Sequence, residues 1–221
     1  MSAMTTYSDV CPQCGNPAQD YFCSDCGRIQ PAASDVDYFS FFGLPRKLRL
    51  NDAELEKSFY ALSRQFHPDY FMNATPDERQ ASIELSSLLN DAYRNLRDPI
   101  LRTQYLLSLE GYKEAEKKAP PDLLEEVFEL NMQIEELKAA KKMGDEEEAA
   151  DARRSLEAAL SGLRDKMAEI DGRLVGLFRE WDSALDRGIP EERRTLLDRM
   201  SELLSHRSYI RNLVDDIQEE F

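Results

Sequence analysis

Histidine is nearly missing from this 221-residue chain, which has only His67 and His206, and tryptophan occurs once. All four cysteines fall between residues 11 and 26. With so few candidate bases, and with the thiols clustered as metal ligands, no nucleophile–base pairing can be assembled. The nine glycines form neither a P-loop nor a dinucleotide fingerprint. The expectation is a protein that is not an enzyme. Long apolar runs are missing too: nothing approaches the ~18 residues of a membrane span. The first residues carry no basic-then-apolar signal and no arginine before Arg28, so neither a secretory nor a transit sequence is expected. Positive charge is scarce, with 28 Lys and Arg against 43 Asp and Glu, a formal net charge of −15. That balance argues against nucleic acid or an anionic membrane as a ligand. The bacterial cytoplasm is the expected compartment, with a processed mitochondrial matrix form as the alternative.

The cysteines form two knuckles, Cys11-Pro-Gln-Cys14-Gly15 and Cys23-Ser-Asp-Cys26-Gly27. Two C-x2-C pairs on a short segment are a tetrahedral ligand set, and four thiolates leave no open coordination position for catalysis. A module spanning 1–34 is too small to fold on its own core, so binding of one structural Zn2+ would supply the folding free energy. Two disulfides, a rubredoxin-like iron site and a nucleic-acid-gripping zinc ribbon are the rivals. A reducing compartment disfavours the first. The last has only Arg28 as a basic residue before Pro45.

Downstream, Leu55, Phe59, Leu62 and Phe66 trace the stripe of an amphipathic helix, with Asn51 as N-cap and Glu54 placed to close a capping box. Thr75-Pro76-Asp77-Glu78 opens another helix, carrying Ile83, Leu85, Leu88, Leu89 and Tyr93. Between them lies His67-Pro68-Asp69, on a loop that Met72-Asn73-Ala74 gives no means of burying. A presented loop is where function is expected. Pro99 opens a further short helix, and Asp37 to Pro45 reads as an aromatic turn of helix closed by Gly43.

After a linker at 111–121, which contains Pro120-Pro121, three helical segments are separated by Gly144-Asp145 and Gly188-Ile189-Pro190. Their heptad-like seams predict an antiparallel three-helix bundle over 122–221. The first of these helices carries a second apolar row, Leu124, Phe128 and Met132, rimmed by Glu125 and Glu129. Two readings stand: a wide core stripe or an exposed partner site. Tyr209 lies one place off the seam of the last helix, beside Ile210.

The stretch from Asp37 to about Glu110 resembles a J-domain. Its Asp37-Tyr38-Phe39, Phe42-Gly43-Leu44-Pro45, His67-Pro68-Asp69 and Leu96-Arg97-Asp98-Pro99 strings are similar to those of HscB-type co-chaperones of iron–sulfur cluster assembly. Some members of that family carry a four-cysteine extension. The resemblance implies an all-α protein: a J-domain helical hairpin over 35–110, a C-terminal client-binding bundle, and a small zinc-knuckle module at the N-terminus. It further implies that His67, Pro68 and Asp69 stimulate a DnaK-type chaperone ATPase (HscA-like), assisted by a basic face at Lys57 and Arg64 with Arg46, Lys47 and Arg49 upstream. Tyr70 stands where the family often has lysine, which weakens that field. The iron–sulfur scaffold protein (IscU-like) would bind Leu124, Phe128 and Tyr209, with Met132 and Glu129 alongside and Ile210 as the rival to Tyr209. A general J-domain adaptor for other clients would be expected to carry Gly/Phe-rich or β segments after its J-domain. A zinc-dependent oligomeric scaffold is the remaining alternative, and homo-oligomers fit either reading.

Overall fold

The computed structural model describes residues 10–11, 13–16, 21–33, 36–112 and 123–219; the linker segment with Pro120-Pro121 lies outside them. Among the described residues seven α-helices run in order: α1 (Tyr38–Phe41), α2 (Asp52–Phe66), α3 (Pro76–Arg97), α4 (Pro99–Leu109), α5 (Leu124–Met143), α6 (Glu146–Arg187) and α7 (Pro190–Glu219). A 3-10 turn, Pro68–Phe71, stands between α2 and α3. No β-strand forms among the described residues, although an antiparallel bridge pairs Phe22 with Ile29. The all-α expectation holds.

Local chemistry sets the helix ends. Asn51 Oδ1 accepts from the amides of Ala53 and Glu54, capping α2. The full capping box occurs at α3, where Thr75 and Glu78 bond reciprocally and Pro76 fills the first position. Asp37 caps α1, accepting from the Ser40 amide at 3.0 Å.

The chain divides into two compact units, Met1–Tyr105 and Leu106–Phe221, with the division inside α4. In the first, α2 and α3 pair, and α1 packs on α3. Phe41, Phe66, Ala81, Leu85, Leu89 and Ala92 form its core, and Tyr21 and Ile29 of the cysteine segment belong to the same cluster. Ile83, expected on the apolar face of α3, is instead 53% exposed, because the buried stripe follows Ala81, Leu85, Leu89, Ala92 and Leu96.

The second unit is a three-helix bundle built on α6, whose 42 residues make a rod of about 63 Å at ~1.5 Å per residue. Both α5 and α7 pack against it. Gly144 (φ 75°) and Gly188 (φ 67°) take the left-handed conformation that ends α5 and α6, which glycine adopts without steric cost. The buried seam of α6 runs through Leu156, Leu160, Leu163, Ile170, Leu174 and Leu177 to Trp181. The buried seam of α7 runs through Leu196, Met200, Leu203, Ile210, Val214 and Ile217. Charged pairs register the helices laterally: Lys166 with Glu126 joins α6 to α5, and Arg207 reaches both carboxylate oxygens of Asp171 at 2.5 and 3.2 Å, joining α7 to α6.

Candidate functional site

The loop between α2 and α3 is tethered at both ends and presented in the middle. Phe66, the last residue of α2, is wholly buried, and its carbonyl accepts hydroxyl hydrogen bonds from Ser82 (2.6 Å) and Ser86 (3.0 Å) of α3. Phe71, at the far end of the 3-10 turn, packs on the same core. Between these anchors His67, Pro68, Asp69 and Tyr70 are all exposed. Pro68 restricts φ and opens the turn. The Tyr70 amide bonds the His67 carbonyl at 3.0 Å, and His67 Nδ1 accepts from the Asp69 amide at 3.3 Å. Through its carbonyl and its ring, His67 anchors the turn by hydrogen bonds. The Asp69 side chain is 77% exposed, and its Oδ2 lies 3.6 Å from His67 Nδ1. Such a carboxylate is open to a bidentate cation from another molecule.

Lys57 and Arg64 are exposed on α2. Arg46 is not available to that face: its guanidinium pairs with the buried Asp37 carboxylate at 2.9 Å. Burial would raise the pKa of Asp37, but hydrogen bonds from Ser40 and Arg46 outweigh it and hold the carboxyl below its ordinary value. Apolar side chains are exposed on the α2–α3 hairpin too: Tyr70 and Met72 beside the loop, Tyr60 on α2 and Ile83 on α3 are each more than half exposed.

The four cysteines come together as the spacing predicts. All four Sγ atoms lie within 4.8 Å of one another, with Cys11–Cys26 at 3.7 Å and Cys14–Cys23 at 3.6 Å. A tetrahedral ion with sulfur bonds of ~2.3 Å separates its ligands by about 3.8 Å, so the cluster has the dimensions of a four-sulfur metal site. The same separations are far beyond the ~2.05 Å of a disulfide, and the thiols are free. Each knuckle repeats one backbone pattern. Cys11 N bonds Asn16 O and Gly15 N bonds Cys11 O; Cys23 N bonds Arg28 O and Gly27 N bonds Cys23 O. Gly15 (φ 74°) and Gly27 (φ 69°) make these turns in the left-handed region. Burial acts to raise the Cys11 thiol, but backbone and thiol hydrogen bonds outweigh it and bring its pKa down to about 6. At Cys14 a hydrogen bond from Asn16 works to lower the value, yet burial and the neighbouring sulfurs push it up to about 12. The shifts run in opposite directions because the thiols crowd one another, and a cation among them would relieve that crowding.

On α5, apolar side chains occupy two faces. Leu130, Leu137 and Ala140 are buried toward the bundle, whereas Leu124 (55%), Phe128 (66%) and Met132 (50%) are exposed. The wide-core reading of that row is therefore excluded. Glu125 is exposed, like Glu129, so charge rims the patch. Ile210 is buried at 2% exposure, whereas Tyr209 beside it is half-buried, so of the two only Tyr209 offers appreciable surface.

A His-Pro-Asp turn between two paired helices is the layout of a J-domain. No family model matches the chain. It is 35% identical over 155 residues to a co-chaperone protein HscB homolog of Vibrio cholerae, covering 69% of this chain and 86% of that protein. It is 27% identical over 220 residues to the iron–sulfur cluster co-chaperone protein HscB of Mus musculus, covering 95% and 82% of the two chains. Among solved structures, human co-chaperone protein HscB superposes with a TM-score of 0.69 at 26% identity, covering 95% of this chain and 97% of the other. Chaperone HscB from Vibrio cholerae gives 0.57 at 26% identity, over 83% and 96%. The chain belongs to the HscB co-chaperone family. No helix among the described residues is long and apolar enough to cross a membrane.

Proposed function

We propose that the protein couples an iron–sulfur scaffold protein to a DnaK-type chaperone ATPase during iron–sulfur cluster assembly or transfer. The J-domain, residues 35–110, stimulates the ATPase through His67, Pro68 and Asp69, with Lys57 and Arg64 contributing a modest, salt-sensitive attraction. The bundle, residues 122–221, holds the scaffold on Leu124, Phe128 and Met132, with Glu129 at the rim and Tyr209 on the last helix. Residues 111–121 link the two, and Cys11, Cys14, Cys23 and Cys26 of the module over 1–34 hold one structural Zn2+. The ion would supply the folding free energy of its module and no reaction chemistry. Neither nucleic acid nor membrane enters the proposal, and the compartment is the bacterial cytoplasm or the mitochondrial matrix.

The observation that carries this reading is the exposed Asp69 carboxylate on a turn anchored at Phe66 and Phe71. Charge is what the substitution Asp69→Asn removes, leaving size and turn propensity nearly unchanged. The variant is expected to abolish stimulation of the partner chaperone's ATP hydrolysis while its melting temperature stays at the wild-type value. Full stimulation by a folded Asp69→Asn protein would take the loop out of the mechanism.

A further inference from the structure

The cysteine segment does not stand apart from the loop it precedes by some forty residues. The hairpin from Tyr21 to Gln30 has the second knuckle at its tip. Its base is closed by the Phe22–Ile29 bridge and the Gln30 amide on the Tyr21 carbonyl, 2.7 Å. At that base two aromatic rings meet Phe66. Tyr21 touches it edge-on with centroids 5.2 Å apart, and Phe22 stacks at 6.2 Å. The Tyr21 hydroxyl also donates to the Phe41 carbonyl at 2.9 Å, fixing the hairpin against the end of α1. Phe66 is the residue immediately before His67. From the same hairpin, Arg28 bonds Gln13 of the first knuckle at 2.8 Å. Its Nε lies 4.0 Å from Glu78, the carboxylate that closes the capping box at the start of α3. The module thus touches the last residue of the helix before the loop and the first turn of the helix after it.

Resting on the co-chaperone reading above, we infer that Tyr21, Phe22 and Arg28 are positioning residues for the His67-Pro68-Asp69 turn, and that metal ligation at the knuckles holds them in place. A module of this size has too little core to keep its hairpin closed without an ion. Opening the tip at Cys23 and Cys26 releases the two rings from Phe66. Phe66 keeps the hydroxyl bonds that Ser82 and Ser86 donate to its carbonyl, which hold α2 against α3, and its contact with Phe41 of α1. What is lost is the lateral wall that fixes where α2 ends and where His67 begins. The ATPase-stimulating turn is then a populated member of a broader set of conformations.

Hydrogen exchange on the full-length, zinc-loaded protein, before and after removal of the ion with a chelator, tests this directly and requires no chaperone. The Asp69 and Tyr70 amides, both bonded to His67, should exchange at least tenfold faster without the ion, while the Leu85 and Leu89 amides in α3 stay protected. Tyr21→Ala should reproduce the effect with the metal still bound, and Tyr21→Phe, which keeps the ring, should restore most of the protection. Unchanged exchange at Asp69 and Tyr70 after metal removal overturns the inference. So does equal loss of protection at Leu85 and Leu89, because the module would then stabilise the whole domain and position nothing in particular. In a parallel ATPase assay, the chelated protein should need several-fold more co-chaperone for half-maximal stimulation while the maximal rate is retained. If the zinc-loaded wild type stimulates no chaperone while the exchange pattern appears as stated, the function proposed for the loop fails and the structural coupling stands.

Discussion

Truncating Leu124 and Phe128 together to alanine isolates the client face from the fold that displays it. Full burial of a leucine or phenylalanine side chain is worth about 1.5–3 kcal/mol. In the free protein, Leu124 is 55% and Phe128 66% exposed, so each can gain only that share of its transfer free energy when a partner covers it. The pair therefore offers about 3 kcal/mol, on the order of a hundredfold in Kd. Because those surfaces face solvent, the double variant should fold with a stability within about 0.5 kcal/mol per site of wild type. Leu130→Ala is the contrasting control. It lies on the opposite face of the same helix at 6% exposure, and its truncation should cost about 2–5 kcal/mol of stability. Titration calorimetry against the iron–sulfur scaffold protein, paired with thermal unfolding, reads both quantities. Basal stimulation of the chaperone ATPase by the double variant should survive, since the loop is untouched. An affinity within twofold of wild type would show that the scaffold binds elsewhere. A collapse in melting temperature would show that the row belongs to the core.

Two further outcomes follow from the cysteine cluster and from Asp37. Native mass spectrometry should find one zinc ion per chain, lost on Cys11→Ser with no change in the helical signal of the bundle; a chain that binds no metal when all four thiols are reduced would refute the four-sulfur assignment. Asp37 has a depressed carboxyl pKa in the folded state, so its contribution is fully present above the unfolded carboxylate range. It is lost as pH falls below about 4 toward the folded value. Asp37→Asn should cost about 1.5–3 kcal/mol near neutrality, because the hydrogen bonds from Ser40 and Arg46 lose their charged acceptor. The gap between variant and wild type, measured by denaturant unfolding, should narrow as the pH approaches 3, and a gap of equal size at pH 3 and pH 7 would contradict the assignment.

Much of this architecture is legible in the chain because the relevant signals are local. The Thr75-Pro76-Asp77-Glu78 start, the glycines that end α5 and α6, and the period of the apolar residues each act within a few positions. Tethering His67-Pro68-Asp69 between two helix ends leaves it nowhere to go but outward, so its exposure could be read before any coordinates. The C-x2-C spacing similarly dictates two knuckles with the same backbone hydrogen bonds.

Other features were decided by contacts between residues far apart in the chain. Periodicity placed Leu124, Phe128 and Met132 on one stripe of α5 but was silent on whether α6 and α7 would cover it. Only the packing of α5 against α6 shows that the stripe turns away. Arg46 looked like part of a basic face until Asp37, nine residues earlier, proved to be its partner. Nothing in the knuckles announced that Tyr21 and Phe22 would press on Phe66, more than forty positions later. Short-range hydrogen bonding and steric preference are written residue by residue, and so turns, caps and ligand spacing were already present in the amino-acid order. Which apolar surfaces meet, and which are left for a partner, depends on the lowest free energy of the whole assembled chain, and that was settled only when its helices packed.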